Sequence, residues 1–406
     1  MKKFICLFLL SISIAPGSVI AQYSMQDVIS TANQNAFNEK LDYLKTHKLR
    51  LPFLEQVTVR LNSEILDYMP HSYALRFRNN SIAAIVAQRK MLKPTMQIEE
   101  SENTIVYHEE LKLRYEGLVE YYFTHIKEKQ LDTLKQLIED KKALVYKQIE
   151  LGINNKIEDI IEIEEDNQKI QSELEENQLK KIEWSKTMKY WLKDSSASPN
   201  IDFSNIISID KIRAHTRLGS TADLVENPSI LKRRGQIEVN AIKEQVIRRS
   251  HYNILNFWQI SYQDSLKKND LFDTRIAFGV GLNIPFPNSD RLKIQNAHLD
   301  RLDAERKYQL EKDKFETEIE LSLIKLNTLI QNHTAFKKQM DEFNAKFSAK
   351  TMKEKGNTDP LLLLKLKLIE TRKSIALAEL EYKLMKSYVQ WLSKQYKLDE
   401  KNYLIN

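Results

Sequence analysis

The acidic run IEDIIEIEED, Ile157 to Asp166, has carboxylates with the chemistry to ligate a metal or to exchange protons. Carboxylates early in a helix also oppose its positive end and solvate its outer face, and that reading suits this run better. The eight histidines include no HExxH or other paired-ligand spacing, so His108 and His125 read as surface or interhelical residues. Neither a phosphate-binding loop nor a nucleophile elbow is present, and the only cysteine is Cys6. No catalytic residue, metal site or cofactor is expected, and the chain should not itself consume ATP. The net charge of +6, from 62 basic and 56 acidic residues, comes from interspersed signs with no basic stripe, which argues against nucleic acid.

What these residues decorate is set by the turns the chain lacks. Only eight glycines and nine prolines occur in 406 residues, while charged residues make up 29% and hydrophobic ones 42%. Such a chain makes few, long, amphipathic elements. An exported enzyme would instead need a compact domain with polar residues clustered on turns. The N-terminus, MKKFICLFLLSISIAPGSVIAQYS, has two lysines, an apolar run from Phe4 to Ile14, a Pro16-Gly17 break and a Val19-Ile20-Ala21 junction. It reads as a secretory signal peptide, residues 1–21, cut after Ala21. The apolar run is well short of the roughly 20 residues that a spanning helix needs. The exported chain is then free of cysteine and of disulfides.

The remainder reads as one plan written twice. Residues 22–199 give a modest first helix ending near Pro52, then strands in QVTVRLNSEI and SYALRFRN. A long helical stretch follows from about Ser81 to Leu151, bent or interrupted at Pro94, then a turn at GINNK and a helix from Ile157 to Leu192. An irregular connector, 200–221, leads to the second copy, 222–399, with a short tail at 400–406. This copy has a helix from about Pro228 to Arg249, strands in YNILNFWQISYQ and TRIAFGVGLNIPF, a long helix from Ser289 to Lys355, a GNTDP turn and a closing helix from Leu361 to Gln395. KTMKYWLK (Lys186 to Lys193) echoes KSYVQWLSK (Lys386 to Lys394), which sets Trp191 and Trp391 at matching places.

In the strands Val57, Val59 and Leu61, Tyr73, Leu75 and Phe77, and Ile276, Phe278, Val280 and Leu282 alternate with polar or small residues. Pro285, Phe286 and Pro287 end the last strand, since proline lacks a ladder donor, and Asn288, Ser289 or Asp290 is placed to cap the helix that follows. Tyr252, Phe257, Trp258 and Tyr262 are candidates for an aromatic girdle at a lipid boundary. The positions from Asn288 to Gly356, if all helical, would span roughly 100 Å, so the helices must pack side by side, the two shorter ones of each copy end to end along the long one. Two hairpins cannot close a barrel alone. If several subunits contribute four strands each, every edge is paired and the apolar sides can face lipid.

In this order and twofold repetition, the turn GVGLNIPFPNSDR, the helix NPSILKRRGQIEVNAIKEQVIRR and the glycine turns ELGINNKIEDI and EKGNTDPLLLL resemble the TolC-like outer-membrane efflux proteins over nearly all of the exported chain. The resemblance implies a mainly α fold with a small β part. Duplicated long helical hairpins and four strands per chain would form, as a homotrimer, a 12-stranded outer-membrane β-barrel continuous with a periplasmic α-helical barrel. It implies a passive exit duct for efflux or type I secretion, partnered by a periplasmic adaptor and an inner-membrane transporter. Gly152, Ile153, Asn154 and Asn155, with Gly356, Asn357, Thr358 and Asp359, are the implied adaptor-docking tip. Members of the family can carry an acidic ring six and nine positions beyond the second glycine. Here those positions hold Leu362 and Lys365, Glu158 is the acid at the matching place in the first copy, and Thr358 stands where a basic partner can occur. The entrance is therefore expected to be apolar or mildly basic. The rival reading is a soluble periplasmic coiled-coil scaffold or an adaptor, which normally carries a single copy of a helical hairpin between compact β domains.

Overall fold

A computed structural model describes residues 22–32, 38–47, 52–62, 72–152, 157–193, 199–217, 227–251, 254–263, 276–282, 290–356, 359–399 and 404–405. The leader, Pro285-Phe286-Pro287, Ile153 to Asn155 and Asn357-Thr358 lie outside the described residues. The chain runs β1 (Gln22–Ser24), α1 (Met25–Ser30), α2 (Glu39–Thr46), β2 (Leu54–Asn62), β3 (Ser72–Asn79), α3 (Ile82–Arg89), α4 (Leu92–Glu150) and α5 (Ile157–Leu192). It continues through β4 (Asn200–Asp202), α6 (Ile209–Arg217), α7 (Pro228–His251), β5 (Leu255–Gln263), β6 (Ile276–Leu282), α8 (Arg291–Phe347), α9 (Ala349–Glu354) and α10 (Pro360–Lys394). The fold is mainly helical with a small strand part, as expected.

Four local expectations are corrected. The first helix is two short ones, α1 and α2, with Ser24 and Asp27 forming a reciprocal cap at the start of α1. The first long helical stretch breaks at Lys90 and Met91 and not at Pro94, which lies in the first turn of α4, where a missing N–H leaves no bond unmade. The second long helix is not continuous to Lys355. Ser348 is extended (φ −62°, ψ 151°), and its hydroxyl accepts from Thr351 N at 3.1 Å to start α9 afresh. The connector is not irregular either. Its β4 pairs in parallel with β1, and α6 buries Ile212 completely.

The helices lie as long neighbours. α4 has 59 residues and α8 has 57, so each is roughly 85–90 Å long. α2 flanks the upper part of α4, where Asn103 donates to Asn38 at 3.0 Å, and α5 flanks the lower part, where Asn177 donates to the Thr124 carbonyl at 2.9 Å. α7 lies along the first half of α8, with Arg233 and Glu311 at 3.4 Å, and α10 along the second, with Lys394 and Glu318 at 3.3 Å. Ser229 at the start of α7 and Tyr396 just past α10 meet hydroxyl to hydroxyl at 2.7 Å. The shorter helices of the second half thus stack end to end along the long one. From side to side the order is α5, α4, α10, α8 in the half holding the α4–α5 hairpin, and α2, α4, α7, α8 in the half toward the strands.

Two apolar cores hold this arrangement. The larger one lies at mid-length, where Tyr115 and Tyr121 of α4 and Tyr388 and Trp391 of α10 are almost wholly buried with Ile212 of α6 and Met188 of α5. The tyrosine hydroxyls stay satisfied there: Tyr115 donates to the Leu398 carbonyl at 3.3 Å and Tyr121 to the Pro199 carbonyl at 3.1 Å. The second core joins Leu131, Leu134, Ile138 and Val145 to Ile163, Ile170 and Leu174 of α5 and Leu368 of α10. Its steps of three, four and seven are those of a coiled-coil seam.

Candidate functional site: sheet, tips and entrance

The two hairpins join into one antiparallel sheet of order β2-β3-β5-β6. Its register puts Val57, Phe77, Trp258 and Val280 in one row, Val59, Leu75, Ile260 and Phe278 in the next, and Leu61, Tyr73, Tyr262 and Ile276 in the third. Since side chains alternate along every strand, all three rows share one face, and every residue in these rows is apolar or aromatic. That face is not covered: Phe278 is 78% exposed and Leu61 69%. Aromatic rings mark its two ends. Trp258 stacks on Phe77 at 4.1 Å near the helices, with its indole N–H donating to Asn79 at 3.3 Å, and Tyr73 and Tyr262 pair in the farthest row. Of the residues expected in a girdle, Trp258 and Tyr262 lie on this face and Phe257 on the opposite one, while Tyr252 lies outside the described residues.

The other face is polar or small apart from Phe257. Thr58, Arg76, Gln259 and Gly279 form one row, and Arg60, Ala74, Ser261 and Ala277 the next. The Arg76 guanidinium donates to Gln259 Oε1 at 3.1–3.2 Å and lies 3.8 Å over the Phe257 ring, while Arg78 pairs with Glu55 at 3.3 Å. Gly281 is required beneath that ring, since a Cβ there would stand 2.0 Å from Phe257 Cε1. Among the described residues the outer edges, β2 and β6, have no neighbouring strand within the chain.

At the opposite end the chain turns at Gly152 (φ 69°) and Gly356 (φ 86°), left-handed angles that glycine adopts without strain. Asp359 accepts from Leu361 N at 3.0 Å and Pro360 takes the first helical position, which starts α10. Ile149, Ile160 and Leu361 pack on the same apolar cluster, so both turns close the same end of the molecule. Of the entrance residues, Glu158 and Lys365 are exposed and Leu362 is half-buried. Where Asn288, Ser289 or Asp290 was expected to cap α8, the N-cap is Asp290. It makes no capping bond to the backbone and pairs with Lys293 at 3.1 Å.

The acidic run of α5 is put to structural use. Glu162 pairs with Lys141 at 3.2 Å, Glu164 with Lys142 at 2.5 Å and Asp166 with Arg372 at 2.7 Å, which ties α5 to both α4 and α10. His108 is buried within 3.5 Å of Asp399, and His125 meets the Tyr121 carbonyl at 2.8 Å. Sequence reasoning missed a polar clamp between α4 and α10. Glu120 accepts from Tyr382 and, at 2.8 Å, from Lys386. Burial acts to lower the Lys386 ammonium, but its bonds to Glu120 and Tyr382 outweigh that and hold it above the usual lysine range. Only the spacing of Tyr382 and Lys386, four apart on one helix face, hinted at it. Among the described residues no group of three or more potential ligands could hold a metal, and no helix is long and apolar enough to cross a membrane.

The end elements of the row of helices carry unspent apolar surface. On α8, Leu292, Leu299, Leu302, Leu310 and Leu321 are exposed, and on α5, Ile157, Ile161, Leu179 and Ile182. These helices stand at the two ends of the row, as β2 and β6 stand at the two edges of the sheet.

No family model and no curated protein matches the sequence. Solved structures do match over nearly the full length. A membrane protein from Pseudomonas aeruginosa has 12% identity and a TM-score of 0.67 over 91% of this chain and 93% of its own. CusC, whose structures concern folding and transmembrane channel formation, has 12% identity and 0.66 over 91% of each. The outer-membrane channel CmeC of Campylobacter jejuni has 11% identity and 0.65 over 92% of this chain and 85% of its own. The chain has the TolC-like fold of these outer-membrane channels.

Proposed function

We propose that this chain is the exit duct of a tripartite efflux pump or type I secretion system, a homotrimer conducting cargo across the periplasm and outer membrane without chemistry on it. The observation that carries the reading is the sheet: one face of three apolar rows yet exposed, and both edges without a partner strand among the described residues. In water such a face and such edges are a liability. In a closed barrel of several copies, β2 of one chain pairs with β6 of the next and the apolar face meets lipid. Strands of nine residues, β2 and β5, suit a tilted membrane crossing. The helices repeat the pattern, since a head-to-tail ring brings the apolar stripe of α8 against α5 of its neighbour. Three copies give twelve strands, the assembly the fold's resemblance implies.

The leader directs export and is removed after Ala21. The glycine turns at Gly152 and Gly356 form the periplasmic tip that an adaptor grips, and an inner-membrane transporter supplies the energy. Glu158, Leu362 and Lys365 line an entrance without an acidic ring.

The test is fractionation of native membranes, detergent extraction and mass determination of the purified particle. A trimer from the outer membrane is expected. A soluble periplasmic monomer would sink the duct and leave a coiled-coil scaffold as the better reading.

A further inference from the structure

We infer that the polar face of the sheet is an anion-preferring lining, so that anionic solutes are the class this duct passes most readily at its outer-membrane segment. The inference rests on the duct reading, which turns this face inward.

The charges on the described strands are few and of one predominant sign. Arg60, Arg76 and Arg78 lie on the polar face, and the single acid is Glu55, at the bulge beside Arg78. Glu55 compensates Arg78 alone, at 3.3 Å. Among the described residues Arg76 is held by neutral groups only, the Gln259 amide oxygen and the Phe257 ring, which fix its guanidinium on the surface without cancelling its charge. Arg60 is exposed, with the small residues Ala74, Ser261 and Ala277 across its row. Among its described residues each copy thus presents two guanidinium groups with no acidic partner, at neighbouring levels. Repeated around a closed barrel they form stacked cationic rings, and a narrow lumen with low-dielectric walls concentrates their field. Arginine and lysine rings are how pores favour anions, and lumen residues set selectivity in barrels of this kind.

The potential at this face can be read without requiring the periplasmic tip to open. Ala74→Cys, in a chain carrying Cys6→Ser, is purified as the trimer in detergent and modified with a negatively charged sulfonatoethyl or a positively charged trimethylammonioethyl methanethiosulfonate. Each rate is normalised to that of a free thiol. The anionic reagent is expected to react about five- to tenfold faster than the cationic one, less so in high salt. Arg60→Gln should reduce the ratio and Arg60→Glu bring it to unity or below. A ratio of one or less in the unsubstituted trimer overturns the inference and leaves the duct standing. A thiol that neither reagent reaches overturns the duct reading and this inference with it, since the face then lines no water-filled lumen. Failure to recover a membrane trimer overturns the duct reading first, and this one with it.

Discussion

Glu244 on α7 shows how one carboxylate can clasp two long helices. Its oxygens meet Arg248 at 2.6–3.0 Å, Arg301 of α8 at 3.1 Å and His298 at 3.5 Å, with almost no exposure to solvent. Burial acts to raise its carboxyl, but Arg248, His298 and Arg301 together hold it below the ordinary value of 4.5. A depressed carboxyl stabilises fully above its unfolded value and loses that contribution as pH falls through the folded one. Glu244→Gln should therefore cost about 2 kcal/mol at neutral pH, a difference that closes in acid, as urea midpoints of the detergent-solubilised protein at the two pH values would show. Gly281 sets a steric limit on the polar face. Gly281→Val should destabilise the sheet by about 1–3 kcal/mol through overpacking on Phe257. Adding Phe257→Ala should restore much of the loss, and the same midpoints measure both.

Among the elements, the breaks matter as much as the helices. α8 stops at Phe347 although nothing in its composition forbids continuation, and Ser348 turns the backbone extended and caps α9. Glu370 of α10 accepts the Ala349 N–H at 2.7 Å and so holds the restart against the neighbouring helix. Ser348→Ala should cost about 1 kcal/mol, seen as faster amide exchange confined to α9 and the last turn of α8. The break was not legible beforehand because serine is tolerated inside helices, and only the contact with Glu370 makes the extended angle worthwhile. Pro94 misled in the other direction: a proline reads as a kink, yet in the first turn of α4 it lacks only a donor that has no partner there.

For the molecule as a whole, the row of helices and the open sheet are two views of one incompleteness. Both end in unpaired surface, hydrogen-bonding at β2 and β6, apolar along α5 and α8. The central row of the apolar face is the test of what that face meets. Phe278→Arg should lower barrel stability by about 2–4 kcal/mol if the face lies in lipid and reduce the amount recovered from the outer membrane, while Phe278→Leu should leave recovery unchanged. Equal recovery of the two variants would mean that the face does not contact hydrocarbon.

Local periodicity was enough to place most elements. α5 runs from Ile157 to Leu192 and α7 starts at Pro228 as the sequence reads, and β2, β3 and β6 follow their alternation, because a period of 3.6 or 2 is written residue by residue. The glycine turns were equally legible, since a left-handed angle favours that residue. Tertiary structure alone decided what depends on residues far apart in the chain. It paired β3 with β5 across the two hairpins, set Phe257 on the polar face through the sheet's register, drew α6 into the core through Ile212, and joined Glu120 to Tyr382 and Lys386. Contacts of that kind leave no period behind them, because each partner satisfies its own helix or strand equally well until the other arrives.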